Sequence, residues 1–465
     1  MVLSEYEKKR LENIQRNQEL LKSLEVPMRP AETDLKKTKA PAIKKHHPKK
    51  HSAPTQPRRV SARIRGIAAK QMEVDENDTV VNRPSSPVKI ERVDTLNEKD
   101  HAHFLEMVGS VNTDNSYDQE DIKVDPSLEP LKEQLDNLTI RHEWATVKMT
   151  PDRISHCLFH PNKTKLLAIA TSSTGHLSFW DINNKEEETG DPVVYSYRPD
   201  TRGITDAKFC INDPLTLYTS SYDGSIQTFD MNKASFGSVM LSTNDYPITS
   251  FDMTQNGQVL YFSTGDGQLG IRDLRSDKTE TMLTLRDKKI GCIHLNPVHS
   301  HLLVAASNDR TATIWDTRHL SKHSKKNVQE LEHGFAVTSA YWSPSGKQLA
   351  TSCYDDYLRV FDLNKTDHVD LKGRIRHNCH TGKWVTMFRT KWNENRRFGI
   401  DHPHFIVGNM NHPCSVFSAE TVSKLTDLYD EDRITAIPAV NEFHPTLDSL
   451  ALLSANASGR VVCWT

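Results

Sequence analysis

The 465-residue sequence contains no run of roughly 18 apolar residues, so no helix in it is expected to span a membrane. Its opening stretch, Ser4-Glu5-Tyr6-Glu7-Lys8-Lys9-Arg10, is charged and has no apolar signal core, so secretion is not expected. Cysteine is sparse: seven residues, at 157, 210, 292, 353, 379, 414 and 463, odd in number and widely scattered. That spacing fits reduced core residues of an intracellular protein better than a disulfide framework. The sequence has no phosphate-binding glycine loop, nucleophile elbow or HExxH pair. With no acid, base and nucleophile brought together, an enzyme is not expected. His377, Cys379, His380, His412 and Cys414 suggest zinc, but Cys-x-x-Cys spacing is missing, so neither a metal nor a cofactor is expected.

Net charge is lacking too, at −2 from 59 Lys+Arg and 61 Asp+Glu. The total conceals a segregation. Residues 1–70 carry 18 basic and 7 acidic side chains, residues 71–136 carry 6 and 17, and the remainder 35 and 37. Opposed blocks at one end suit interaction tails, although charged linkers also serve only to solubilise. Residues 4–25 predict an exposed helix: Ser4 with Glu7 forms a capping box, Leu11, Ile14, Leu21 and Leu24 recur at helical spacing, and Pro27 ends it. The chain thus divides into a charged helix over 1–26, a disordered linker over 27–136, basic and then acidic, and a folded domain over 137–465. In the linker, Lys36, Lys37, Lys44, Lys45, Lys49, Lys50, Arg58, Arg59, Arg63 and Arg65 suit nuclear import or a salt-sensitive grip on phosphates. Ser86-Pro87 followed by Val88-Lys89-Ile90-Glu91 resembles a proline-directed phosphosite beside a SUMO-acceptor pattern.

From about residue 150 one pattern recurs: an apolar alternating strand, a turn, a second apolar strand, a short polar turn, and a strand with a fixed ending. The endings are Trp180-Asp181, Phe229-Asp230, Arg272-Asp273, Trp315-Asp316, Phe361-Asp362, Phe417-Ser418 and Trp464-Thr465, separated by 49, 43, 43, 46, 56 and 47 residues. This is the signature of WD-repeat blades of four strands each. Asp223, Asp266, Asp309 and Asp355 each lie seven residues before the terminal Asp of their repeat, where a short Asx side chain can fix a tight turn. The predicted fold is all-β, a seven-bladed WD-repeat propeller preceded by a disordered tail with one short helix. The seventh repeat ends after its third strand, so a segment near Leu138–Val147 is expected to supply the missing one.

Strands within a blade alternate in direction, which puts the loops leading into each blade and the turns between second and third strands on one face. The lead-in loops are basic: Arg153 before blade one, Arg198 and Arg202 before blade two, Arg286, Lys288 and Lys289 before blade four. Lys372, Arg374, Arg376, His377, His380, Lys383 and Trp384 precede blade six, and Arg310 sits in a turn of the same face. Asp245 and Asp430-Glu431-Asp432 interrupt the collar at blades three and seven. A phosphate backbone is the ligand such a collar suits, with Trp384 placed to stack on or wedge beside a base; ordinary solvated surface cations would read the same way.

Two segments bear a resemblance. Lys288-Lys289-Ile290-Gly291-Cys292-Ile293-His294-Leu295-Asn296-Pro297 and Ala312-Thr313-Ile314-Trp315-Asp316-Thr317-Arg318 resemble the family of damage-binding WD-repeat proteins that includes the small, lesion-recognising subunit of the UV-damaged-DNA-binding complex. Tyr6–Ile14 and Trp384–Trp392 are similar to the fungal nuclear branch of that family. The resemblance implies backbone contacts for Arg153 and Lys289, with Lys288 adjacent. The family also inserts an aromatic-containing hairpin before blade six. Here that place reads His377-Asn378-Cys379-His380-Thr381-Gly382-Lys383-Trp384, without the wedge tripeptide, leaving Trp384 as the substitute. A Trp-Asp-x-Arg box, whose arginine docks such propellers onto a cullin-ligase adaptor, is matched by Trp315-Asp316-Thr317-Arg318 and in part by Arg272-Asp273-Leu274-Arg275. Arg318 and Arg275 fall on the opposite face, where they either meet a partner or pair with blade carboxylates.

The expectation is a nuclear, non-enzymatic protein that binds DNA, double- or single-stranded, with preference for UV-damaged DNA. The alternative is an interaction scaffold that meets a ubiquitin-ligase adaptor, histones or other chromatin proteins. Neither a membrane nor a small-molecule substrate is expected.

Overall fold

The computed structural model describes residues 92–110, 128–186, 189–241, 246–276, 280–321, 326–382 and 384–465. The helix expected over 4–25, the basic clusters of residues 36–65, the Ser86 to Glu91 motifs, Asp245 and Lys383 lie outside the described residues.

Seven four-stranded antiparallel sheets make up the domain. Six are built from consecutive strands, spanning residues 154–197, 204–241, 248–284, 290–332, 337–376 and 391–428. Middle strands such as Leu302–Ser307 and Gln348–Cys353 are buried along their whole length, because each blade is covered on both faces by its neighbours. Outer strands meet solvent, and Val369–Arg376 is exposed at most positions.

Every turn between second and third strands holds one residue in the left-handed region at an equivalent position. These are Gly175, Gly224, Gly267, Arg310, Asp356, His412 and Gly459, with φ from 61° to 88°. At Gly175, Gly267 and Gly459 a Cβ would come within 2.2 Å of a carbonyl oxygen of the adjacent lead-in loop, so turn and loop are in direct contact. Three of the four aspartates expected in these turns bond local backbone, whereas Asp266 donates its own N–H to the Thr264 hydroxyl. Asp223 accepts N–H bonds from Ser225 and Thr201, Asp309 from Thr311, and Asp355 from Tyr357 and Gly334.

The seventh sheet takes three strands from residues 438–464 and its outer strand, Val147–Lys148, from the start of the domain. Val147 lies opposite Val461 and Lys148 opposite Arg460. Thr139 and Thr465 exchange two further backbone bonds, of 3.2 and 2.9 Å. Between these points the chain bows outward. His142 Nε2 accepts the Cys463 N–H, and the Arg433 guanidinium donates to the Ile140 and His142 carbonyls. The ring therefore closes within the expected segment, with regular pairing confined to its end.

The linker expected to be disordered over 27–136 requires correction, because it contains two helices, α1 (Glu98–Gly109) and α2 (Glu129–Asp136). The Asn97 side chain caps α1 by accepting the Asp100 N–H, and Glu98 and Asp100 complement its dipole. Phe104, Met107 and Val108 share one face and are buried with blades one and two. The Phe104 ring is enclosed by Phe179, Tyr195, Tyr197 and Phe229, at centroid distances of 5.1, 5.5, 6.0 and 5.8 Å. Lys165 bonds the Met107 carbonyl and Ser110 Oγ at the C-terminus of α1. Leu131 and Leu135 of α2 pack with Leu428, Phe443 and Trp464. These apolar spacings sit in a strongly acidic stretch, and the composition hid them.

The innermost strands turn polar side chains toward the axis. Lys208 pairs with Asp252 at 2.7 Å, Lys391 with Glu442 at 2.9 Å, and the Arg389 guanidinium donates to the Tyr341 hydroxyl at 3.4 Å. Burial opposes the charge on Arg389, but Tyr341 and then Asp206, from blade two, outweigh it and hold the guanidinium charged. Burial pushes Glu442 up to about 7 against the pull of Lys391.

Two predictions follow from this packing. Phe104→Ala should cost about 3–5 kcal/mol of stability, read by chemical denaturation; a loss below about 1 kcal/mol would mean that α1 is undocked in solution. Burial also lowers several histidines: His160, His294, His333 and His404 to about 4, His444 to about 3, and His156 well below its usual value. The unfolded chain protonates these groups first, so the stability they leave intact above pH 6.5 drains away as pH falls toward 4, on the order of 3 kcal/mol for a fully buried one. Asp200 and Glu442, both raised to about 7, run the other way but are outnumbered. The melting temperature should be clearly lower at pH 5 than at pH 7.5, and an equal or higher value at pH 5 would refute the assignment.

Candidate nucleic-acid interface

The lead-in loops and the second-to-third-strand turns share one face, and the cations expected there are brought to it in different degrees. Arg153 directly precedes the innermost strand of blade one, Ile154–Phe159, and is half-buried. Arg198 follows the outer strand of blade one, bridges Val93 through two backbone bonds and donates to the Thr174 carbonyl at 3.2 Å. Arg202 is exposed and reaches the Tyr222 carbonyl at 3.5 Å. Lys288 and Arg310 are exposed. Arg286 is largely neutralised by Asp309 and Glu330, and that pairing raises its own pKa further.

Two contacts link blades that are not neighbours on this face. The Lys289 ammonium donates to the Tyr222 hydroxyl at 2.9 Å and lies 5.0 Å from the ring centroid. Tyr222 belongs to a turn of blade two and Lys289 leads into blade four, so this pair spans blade three. The Thr386 hydroxyl, leading into blade six, donates to the Ile154 carbonyl of blade one at 2.6 Å and spans blade seven. The first of them holds the Lys289 ammonium against the turn of blade two.

Arg374 and Arg376 were expected in the loop before blade six, and their placement is corrected. Both lie on the outer strand of blade five, Val369–Arg376. Charged side chains alternate there because they occupy the outward side of an edge strand, which resembles a loop in composition. Arg376 pairs opposite Tyr357, and the Arg374 guanidinium sits 5.1 Å from that ring's centroid. The strand ends at the lead-in face, so both cations flank it. Lys372, on the same strand, pairs with Asp362 at 3.5 Å. Trp384 is 78% exposed. Glu431 and Asp432 are exposed before blade seven, as expected for the acidic interruption.

The residues that suggested zinc are engaged separately. His377 Nε2 bonds the Gly408 carbonyl at 2.8 Å, and Cys414 Sγ meets Asn441 and Ser454. Among the described residues no group of three or more His, Cys, Asp or Glu is arranged to hold a metal. On the opposite face, Arg275 grips Asp273 through Nε and Nη2 at 3.0 and 2.8 Å, and Arg318 grips Asp316 at 2.9 and 2.6 Å. Each side chain is also largely exposed, so carboxylate pairing and an outward-facing guanidinium coexist.

Sequence reasoning missed Tyr222, Phe335, Asp356 and Tyr429. Tyr222 adjoins the turn aspartate Asp223, and Phe335 immediately precedes blade five; both positions were legible once the turns had been aligned. Asp356 accepts the N–H groups of Cys379 and His380 at 2.9 and 3.0 Å and so fixes the start of the loop that carries Trp384.

Residues 280–316 and 325–362 match the model of the WD domain, G-beta repeat family. Over 520 residues the chain is 33% identical to the DNA damage-binding protein CMR1 of Phaeosphaeria nodorum, covering 99% of this chain and 98% of that protein. It is 31% identical to the DNA damage-binding protein cmr1 of Aspergillus oryzae, with 99% of each covered. The protein of the same name from Scheffersomyces stipitis is 29% identical, again over 99% of each.

Proposed function

The chain belongs to the CMR1 family of DNA damage-binding WD-repeat proteins, and from that membership we propose that it is a non-catalytic nuclear protein that binds DNA through the lead-in face of its propeller, with preference for UV-damaged DNA. The observation that carries this reading is the convergence of Arg153, Arg202, Lys288, Lys289 and Arg310, from blades one, two and four, on one face, where Lys289 meets Tyr222. Such cations neutralise phosphates and release condensed counterions, so affinity falls steeply with salt. Backbone contacts position the duplex, and Trp384 meets the distorted base step that a lesion presents. The basic clusters of residues 36–65 serve nuclear import.

A second reading rests on the opposite face, where Arg318 and Arg275 are held outward by Asp316 and Asp273. There a protein partner, such as a ubiquitin-ligase adaptor or a chromatin protein, docks without competing with DNA.

Changing Arg153, Lys288 and Lys289 together to Glu should weaken binding to a UV-irradiated duplex at least tenfold at moderate salt and flatten the salt dependence by ~3 in slope. Unchanged affinity would remove this face from the interface. Arg318→Ala should leave DNA affinity unaltered while reducing recovery of an adaptor in pull-downs; loss of DNA binding instead would contradict the division of faces.

A further inference from the structure

The seam that closes the ring borders a cavity of about 350 Å³. Its walls come from three places: Ala145 and Thr146 of the closing segment, the loop leading into blade seven from Asp432 onward, and the second and third strands of that blade with the turn between them. The volume lies at the lower end of the range for pockets that hold small ligands. Ile434, Pro438, Ala455 and Val462 give it an apolar side, and Arg433 and Arg460 bring two guanidinium groups to it.

Around this cavity the acceptors are used within the protein and donors are left over. Asn456 Oδ1 accepts the Ser458 N–H, the Ser458 hydroxyl and the Arg460 N–H, at 2.9, 2.7 and 3.2 Å. Asp430 Oδ1 accepts the Asp432 and Arg433 N–H groups. Both guanidiniums are held by oxygens of the closing segment rather than by a carboxylate. Arg433 Nη1 donates to the Ile140 and His142 carbonyls at 2.7 and 3.3 Å, and Arg460 Nη1 to the Thr146 carbonyl and hydroxyl at 3.5 and 3.1 Å. Asp430 stands 3.7 Å from Arg433 Nε, beyond hydrogen-bond reach, and Arg460 meets no carboxylate among the described residues. Nη2 of each guanidinium, the Asn456 amide nitrogen and the Thr435 hydroxyl keep donors for a ligand.

We infer that this cavity is a site for a single phosphate group on a small body, a phosphomonoester, either free or as a phosphorylated side chain. One guanidinium fork satisfies both oxygens of a carboxylate, whereas the three terminal oxygens of a phosphate take donors from several groups at once. The apolar side receives the body that carries the phosphate. Glu431 and Asp432 are exposed beside the cavity, so water weakens their field, while Arg433 is half-buried and acts at shorter range. An extended polyanion would have to pass both carboxylates, which makes DNA a poor occupant and separates this site from the DNA-binding reading. A phosphate seated here would tie the loop leading into blade seven to the segment that closes the ring.

The test is isothermal titration calorimetry of the full chain with inorganic phosphate, adenosine monophosphate and a short peptide carrying one phosphothreonine, with adenosine and the unphosphorylated peptide as controls. The wild type should bind a phosphorylated probe at a single site, and the controls should bind about tenfold more weakly or not at all. Tighter binding of the peptide than of the two small probes would identify a side chain as the source of the phosphate, and the reverse order a free phosphomonoester. Ala145→Phe, which fills the cavity from an exposed position, and Arg460→Gln should each weaken that binding by about tenfold and remove the rise in melting temperature that the ligand gives the wild type. Because Ala145 is exposed, the unliganded Ala145→Phe variant should melt as the wild type does, which separates loss of the site from loss of the fold. Absence of single-site binding for every phosphorylated probe, or equal affinity in the wild type and Ala145→Phe, would overturn the site.

Discussion

The pairing of Val147 and Lys148 with the strand that ends at Trp464 is the contact on which the domain depends. Seven blades form a stable ring only if no sheet edge is left open, and the blade built last in the chain lacks an outer strand of its own. The matched repeats at 280–316 and 325–362 display the underlying logic. Each begins with the outer strand of one blade and continues through three strands of the next. A repeat offset by one strand interlocks every blade with its successor, and the same offset obliges the start of the domain to complete its end. Thr139, His142 and Arg433 reinforce that seam, and α2 packs beside it.

A closed ring turns local loop chemistry into a surface. Lead-in loops are held against the neighbouring turn, by Asp223 before blade two, Asp355 before blade five and Asp356 before blade six, so side chains far apart in sequence reach one face in fixed relation. Lys289 and Tyr222 touch across 67 positions of sequence because the ring brings blades two and four around a common axis. Geometry also sorts the cations. Arg286 is occupied by two carboxylates, Arg198 and Arg202 meet carbonyls, and Lys288 and Arg310 remain exposed. Two of the axial cations below are paired, Lys208 with Asp252 and Lys391 with Glu442, while Arg389 meets the Tyr341 hydroxyl and keeps its charge.

The blade count, the closing segment and the shared face could all be read from the repeats, because the Trp-Asp endings and the turn aspartates mark strand direction. The helices could not. Phe104 and Leu131 lie among so many acidic residues that composition pointed to disorder, and their burial depends on grooves that exist only after the blades assemble. Arg374 and Arg376 were misplaced for a related reason: an edge strand with one face in water carries loop-like residues. The aromatic side chains escaped notice because exposure is a property of the folded surface, and Phe335 in sequence looks like any strand-flanking Phe.

The central claim is that DNA meets the lead-in face of the propeller. Hydrogen–deuterium exchange of the full chain, with and without a UV-irradiated duplex, measures this directly. The account predicts slower exchange in peptides covering residues 200–203 and 286–290, with no change in residues 273–276 and 316–319 of the opposite turns. Protection of those opposite turns, with the lead-in loops unaffected, would contradict it.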